Sequence, residues 1–298
     1  MDKIKSFILT QLVEKKIERS RAKELLLDLE ARQGVGDIAI IGMAGRFSAA
    51  DSIDEFWEYL KQGQSTIRDY PSLRKEDMNA ILRNPHHAEL ILGSPVVDGD
   101  FDGLYAKSGY LNRIDTFDAH LFGIPPIEAE YMDPHQRIAL EIAHETFENA
   151  GYGGDAAKGT RTGVFLGRDQ TNISYYKMFS ERHPLQLSGS WEALVASRIS
   201  YLYDLKGPCL MTDTACSAGA VSIHQAVQSL TLGECDMALA GGINLTIGEV
   251  KPDYAAGAAM SSVTSGQNTI RTFDARADGT LWGEGVGLVL LKPLAQAQ

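Results

Sequence analysis

Residues 207–220 of the chain are GPCLMTDTACSAGA, and this stretch carries the signal that decides the fold. Residues 209–214 are predicted to form a strand, because this segment begins with apolar side chains and is followed by a turn of small residues. Residues 216–230 predict a helix that begins at or just after Cys216. The stretch therefore predicts a strand–turn–helix unit with a cysteine at its bend.

A thiol at the start of a helix has distinctive chemistry. The unpaired N–H groups and the positive end of the helix dipole favour the thiolate, which is the species that attacks a thioester carbonyl. The opposite interpretation is that Cys216, like most lone cysteines, is a small buried hydrophobic residue. The local pattern leaves both interpretations of Cys216 open. For Cys209 and Cys235 the structural interpretation is favoured, because nothing around them indicates activation.

Strands alternate with helices along most of the chain. Predicted strands lie at residues 37–43, 162–167, 237–245 and 286–291. Predicted helices begin at Asp51 or Ser52, at Asp133-Pro134 and at Ser197, whereas residues 63–113 are predicted to be a long irregular excursion. Such alternation predicts a layered α/β fold with a substantially buried sheet.

Residues 1–33 predict a short helical segment that is distinct from the rest. Its first helix has apolar residues at helical spacing, and Ser20 is the predicted N-cap of the second. The apolar faces are predicted at Ile4, Phe7, Ile8, Leu12, Leu25, Leu26 and Leu29. Helices this short bury little surface alone and need a partner. That partner is either the chain's own domain or another subunit, and the break at Gly34 and Gly36 favours intersubunit docking or a dimer coiled coil.

Composition and charge exclude several classes of function. The 298 residues are 44% hydrophobic, which is enough for a substantial core. No apolar run approaches the roughly 20 residues that span a bilayer, and the N-terminus lacks the features of a signal peptide. A net charge of -11 argues against nucleic-acid binding and against long-range attraction to an acidic partner. Three cysteines without zinc-site spacing fit a reducing compartment, so we expect a cytoplasmic protein.

Several segments recur in a recognisable order around the motif DTACSA at residues 213–218. RISY and DLKGP occur at residues 198–201 and 204–208, and further matching segments are residues 38–47, 122–137, 233–242 and 273–285. Together they resemble the beta-ketoacyl synthase family, specifically the ketosynthase domains of modular polyketide synthases. The resemblance covers about residues 37–294 in the family's order.

The resemblance implies a thiolase-like layered fold of two pseudo-repeated α/β halves. Residues 37–298 would form the first half, which contains the nucleophile, and residues 1–33 would precede it as a docking or linker segment. Cys216 would accept an acyl chain from the phosphopantetheine thioester of an acyl carrier protein. No bound cofactor or metal is implied, and the assembled domain would be a homodimer.

The same resemblance implies two further catalytic residues that the 298 residues lack. In the family, histidines in HGT and NxGH motifs downstream of the cysteine promote decarboxylation of a malonyl-type extender and stabilise the enolate and oxyanion. Neither motif surrounds any histidine of this chain, and none of the seven is expected to be catalytic: His86, His87, His120, His135, His144, His183 and His224. Condensation would then need a complementary C-terminal ketosynthase polypeptide.

Two explanations fit the missing half, a ketosynthase naturally split between two polypeptides or an artificial truncation. We expect the natural split, because a half-domain with its apolar sheet face uncovered would aggregate. The alternative function is a non-elongating transacylation or docking module that links megasynthase subunits. A cysteine hydrolase is disfavoured, because it would need a histidine base with a supporting motif.

Overall fold

The structure is a computed structural model that describes residues 2–31, 36–92, 101, 103–168, 184–246 and 263–297. Its strands are β1 (Ile38–Phe47), β2 (Thr162–Gly167), β3 (Cys209–Thr212), β4 (Met237–Asn244) and β5 (Gly285–Pro293). The described helices are α1 (Asp2–Val13), α2 (Arg19–Ala31), α3 (Ile53–Gln62), α4 (Ser72–Leu82), α5 (Pro85–Leu92), α6 (Pro126–Tyr131), α7 (Pro134–Asn149), α8 (Pro184–Ser190), α9 (Ala193–Leu202), α10 (Ala218–Leu232) and α11 (Leu294–Ala297). A 3₁₀ turn, Ala215–Ser217, precedes α10.

The five strands form one mixed sheet in the order β1-β5-β4-β2-β3. Strand β2 runs parallel to both of its neighbours, β3 and β4, whereas β5 is antiparallel to β4 and β1. The parallel strands β3 and β4 are joined through α10, the crossover helix that a parallel connection needs. Because parallel strands end at one edge of a sheet, the residues that follow β2, β3 and β4 lie at the same edge.

Strand β2 shows how the sheet is covered on both faces. All six of its residues are buried. Val164 and Leu166 belong to the largest apolar core, together with residues of α7 and α9, whereas Phe165 joins a second cluster with Ala226 and Leu230 of α10. Side chains of a strand alternate between its faces, so helices pack on both sides. The predicted buried sheet within an α/β fold is confirmed.

Two predicted elements agree closely with the structure. The strand at residues 162–167 has the predicted bounds. Helix α7 begins at Pro134, and the carboxylate of its N-cap, Asp133, accepts a hydrogen bond from the backbone N–H of His135. A proline at the first helical position costs no hydrogen bond, because that N–H would have no partner within the helix.

The predicted irregular excursion at residues 63–113 is wrong in part. It contains α4 and α5, which pack with the aromatic residues Tyr70, Tyr105 and Tyr110 in an apolar cluster of their own. Prolines mark both helix starts, Pro71 as the N-cap of α4 and Pro85 as the first residue of α5. The scattered prolines, which indicate breaks in a sequence, here lie where helices begin.

Helices α1 and α2 form the N-terminal hairpin, in which Ile8 and Ala22 are buried. The exposed fractions of Ile4 and Phe7 are 49% and 62%, so part of the predicted apolar face is uncovered within the described chain. The predicted N-cap Ser20 is wrong, because α2 begins at Arg19 and the Ser20 hydroxyl instead donates to Glu18. The side chain of Leu29 and residues 32–33 lie outside the described residues. Across the described ranges, no helix has the length and apolar character to cross a bilayer.

Candidate active site

The site is the bend between β3 and α10, at the carboxyl edge of the sheet. Strand β3 ends at Thr212, two residues earlier than predicted. Cys216 lies in the 3₁₀ turn that precedes the first residue of α10, Ala218, and its side chain is exposed. The structure thus places the sulfur at a strand-to-helix bend and outside the apolar core.

Side-chain hydrogen bonds hold the backbone of this bend in an uncommon conformation. Ala215, directly before the cysteine, has a φ of 52°, in the left-handed region that residues with a Cβ rarely occupy. The Asp213 carboxylate accepts a hydrogen bond from the Ala215 N–H at 3.0 Å, and the Ser217 hydroxyl donates to the Thr214 carbonyl at 2.8 Å. Strain of this kind persists where the surroundings fix it, and it clusters at functional sites.

Glycines let the first turn of α10 lie directly on the sheet. A Cβ placed on Gly167, the last residue of β2, would stand 2.2 Å from the carbonyl carbon of Ala218. A Cβ on Gly242 of β4 would stand 3.0 Å from the Cα of Gly219. The close packing of these backbones fixes where α10 begins, and therefore where Cys216 lies.

The other two cysteines have different surroundings. Cys235 is 2% exposed, and its thiol donates to the Ser229 hydroxyl at 3.4 Å. Burial raises the pKa of Cys235, and burial raises the pKa of Cys209 to about 11. A raised pKa suppresses the thiolate at neutral pH. Both environments agree with the structural interpretation of Cys209 and Cys235.

The described histidines do not assemble a base at the sulfur. His135 is buried with its Nδ1 2.7 Å from an Asp133 carboxylate oxygen, and the Nδ1 of His144 lies 2.9 Å from the Tyr203 hydroxyl. His224 is exposed on α10, and His183 lies outside the described residues. Among the histidines that the structure describes, none hydrogen-bonds Cys216. The described ranges also contain no group of three or more His, Cys, Asp or Glu side chains that could hold a metal ion.

Two buried charged groups near the sheet edge were missed in the sequence. Arg168 follows β2 directly, and its backbone N–H donates to the Thr212 carbonyl at 3.1 Å, so it lies beside the strand that leads to Cys216. Glu284 accepts from Arg74 at 2.7 Å and from the backbone N–H of Thr246, just beyond β4. The sequence contained a signal for each of these residues. Arg168 directly follows a predicted apolar strand, and Glu284 lies between two glycines at residues 283–285.

The family model described as "Beta-ketoacyl synthase, N-terminal domain" matches residues 36–297. The chain belongs to the beta-ketoacyl synthase family. Among its relatives, polyketide synthase PksM of Bacillus subtilis is 42% identical over 260 residues, which are 87% of this chain and 6% of that protein. The spectinabilin polyketide synthase system protein NorC of Streptomyces orinoci is 33% identical in an alignment that covers 100% of this chain and 12% of NorC.

Solved ketosynthase domains show the same fold. A ketosynthase from module 6 of the bacillaene synthase of Bacillus subtilis has a TM-score of 0.66 and 34% identity, with 87% of this chain and 40% of that chain covered. The oxazolomycin ketosynthase domain OzmH KS7 of Streptomyces albus has a TM-score of 0.69 and 31% identity, with 88% and 44% covered. The ketosynthase family and the thiolase-like fold are thus confirmed, and the chain spans less than half of these domains.

Proposed function

We propose that this chain is the N-terminal half of a polyketide ketosynthase and that Cys216 accepts the acyl chain. The observation that carries the proposal is the exposed thiol of Cys216 at a strained bend, directly before the N-terminus of α10. Burial of Cys209 and Cys235 supports the choice among the three cysteines. Membership of the family supports the reaction class, acyl transfer in polyketide biosynthesis.

The transfer would exchange one thioester for another. The Cys216 thiolate attacks the carbonyl of an acyl group held on the phosphopantetheine arm of an acyl carrier protein, and a new carbon–sulfur bond forms. The bond to the pantetheine sulfur then breaks, and that thiolate takes up a proton equivalent to the one Cys216 released. The N-terminus of α10 presents backbone dipoles to the site, and the Ser217 side chain does not cap it, so these dipoles favour the charge that develops on oxygen.

Condensation would need groups from a complementary C-terminal ketosynthase polypeptide. The family's HGT and NxGH histidines do not occur in the 298 residues. They would promote decarboxylation of a malonyl-type extender, and the resulting carbanion would attack the acyl group on Cys216. We propose that the assembled domain is a cytoplasmic homodimer. The position of β3 at the edge of the sheet, with Leu210 47% exposed, is compatible with further association at this edge.

The alternative is a non-elongating module that transfers acyl chains or links megasynthase subunits. It rests on the same observation as the leading proposal, because the exposed thiol of Cys216 is the group that acyl transfer needs. Transfer between thioesters needs a nucleophile and charge stabilisation, whereas condensation also needs decarboxylation of the extender. The N-terminal hairpin, residues 1–33 as predicted, would supply the docking contact in either case.

In the test, the full chain is incubated with an acyl carrier protein thioester as the acyl donor. Malonyl carrier protein is then added, with and without the complementary polypeptide. We expect acyl transfer to the chain in both cases and an elongated product only with the complement. Cys216→Ala should abolish transfer and elongation, whereas the matched variant Cys209→Ala should retain both. Acyl transfer to Cys216→Ala would contradict the proposal. Transfer without elongation in the presence of the complement would establish the alternative.

A further inference from the structure

Arg168 is a buried cation whose hydrogen bonding is incomplete. Its side chain is 3% exposed, and its Nη1 donates to the carboxylate of Glu192. Its Nε and Nη2 are buried and have no hydrogen-bond partner in the described structure. A buried donor without a partner is destabilising, and two on one charged group are unusual enough to need an explanation.

The two nitrogens without a hydrogen-bond partner, Nε and Nη2, lie on the same edge of the guanidinium plane, which we call the open edge although it is buried. Nε–H and Nη2–H point in parallel from that edge, which is the geometry that binds both oxygens of a carboxylate. Arg68 and Arg74, by comparison, leave only Nε open among their buried nitrogens. Arg168 therefore offers a preformed fork for a planar oxyanion.

The guanidinium of Arg168 belongs to a residue at the same edge of the sheet as the proposed nucleophile, Cys216. Arg168 follows β2 and Cys216 follows β3, and these are adjacent parallel strands. The backbone hydrogen bond from Arg168 to Thr212 ties the two strand ends together. The carboxyl edge of parallel strands is where α/β sheets bind ligands. The acyl group on Cys216 would therefore lie at the same edge of the sheet as the arginine.

The electrostatics of the surroundings also favour an anion. Glu192 is the N-cap residue of α9 and makes no side-chain capping hydrogen bond, so the positive end of that helix lies near the pair. The Glu192 side chain is 31% exposed, and solvent therefore screens its charge more than that of the buried arginine. A carboxylate on the open edge would pair the remaining donors of Arg168.

We propose that the open edge of Arg168 binds a carboxylate on the acyl chain carried by Cys216. The preferred acyl group is then the half-thioester of a dicarboxylic acid. This inference rests on the proposed function, because it requires that Cys216 be acylated. It assigns Arg168 as a specificity-determining residue, with Glu192 holding its guanidinium in place.

The experiment compares acyl loading of the full chain from two matched N-acetylcysteamine thioesters, glutaryl and the neutral valeryl. We expect the wild-type chain to load glutaryl about tenfold or more faster, as hydrogen bonds to a charged group allow. Arg168→Met should abolish this ratio, and Arg168→Lys should restore only part of it because lysine lacks the fork. Arg161→Met, an exposed arginine at the opposite end of β2, should leave the ratio unchanged.

The outcomes separate this inference from the function on which it rests. Equal loading of both thioesters by the wild-type chain, or a ratio that survives in folded Arg168→Met, would overturn the role of Arg168 and leave the nucleophile in place. Loss of dimerisation in Arg168→Met without any change in the ratio would overturn it too, since the fork would then bind a carboxylate of another chain. Failure of the wild-type chain to load either thioester would overturn both proposals.

Discussion

The sulfur of Cys235 lies in the core, that of Cys209 lies half-buried in β3, and that of Cys216 is exposed at the bend. These environments decide reactivity, because only the thiolate is nucleophilic and burial opposes its charge. Ala215, directly before the exposed Cys216, has a left-handed φ of 52°. At the scale of the residue, the reactivity that we propose for Cys216 therefore depends on the position of the turn that follows β3.

Alkylation of the native chain by iodoacetamide should follow this order. At pH 8 we expect Cys216 to be labelled first, with Cys209 and Cys235 labelled only after unfolding. Because burial raises the pKa of Cys209 to about 11, its thiolate fraction in the folded chain stays low at pH 9 and increases only as the pH approaches that value. Peptide mass spectrometry over a pH series measures the three rates. Labelling of Cys209 or Cys235 as fast as Cys216 at pH 8 would contradict the assignment.

At the scale of the element, the site depends on how closely α10 approaches β2 and β4. The backbone of Gly167 lies against that of Ala218, and Gly242 lies against Gly219. Any side chain at these positions must push the helix away from the sheet. Cys216 lies in the 3₁₀ turn that leads directly into α10, so a displacement of the helix start would also displace the sulfur.

Gly167→Ala should therefore lower both stability and acyl loading. Overpacking of this kind costs about 1–3 kcal/mol in free energy of unfolding, and the displaced helix start moves the sulfur. Gly266→Ala is the matched control, because a Cβ there would have no atom within 4 Å. Thermal unfolding and loading rates measure the two effects. Wild-type stability and loading in Gly167→Ala would show that the close packing does not position the nucleophile.

The sequence predicted those elements whose signals are local. The strand at residues 162–167 and the proline-led α7 follow from apolar runs and a capping residue, and both were found. The helices α4 and α5 were missed, because prolines that begin helices resemble prolines that interrupt them. The motif DTACSA predicts Cys216 as the nucleophile, and this assignment stays a prediction. Arg168 was missed, because its open edge depends on burial and on Glu192, which is distant in sequence.

At the scale of the whole molecule, the N-terminal hairpin has an apolar cluster of its own. Its buried residues Ile8 and Ala22 form a cluster that shares no member with the clusters around the sheet. Phe7 and Val13 are 62% and 81% exposed on α1. Exposed apolar residues on a short helix favour contact with another polypeptide, which is the docking role that we propose for residues 1–33.

Removal of residues 1–33 should leave the melting temperature of the remaining chain unchanged and abolish association with neighbouring synthase subunits. Phe7→Ser should weaken association in the intact chain, because it removes an exposed apolar contact, whereas the matched exposed variant Lys16→Ser should not. Thermal unfolding and analytical ultracentrifugation provide the two measurements. Unchanged association after the deletion would defeat the docking role and favour a hairpin that packs only on itself.

The most direct test of the central claim is to locate the acyl group after reaction with an acyl carrier protein thioester. All three cysteines lie between Lys206 and the next lysine or arginine, Lys251, so a single tryptic peptide carries them and fragmentation must place the modification. We predict that the added acyl mass resides on Cys216 alone. An acyl group on Cys209 or Cys235, with Cys216 unmodified, would contradict the assignment of the nucleophile.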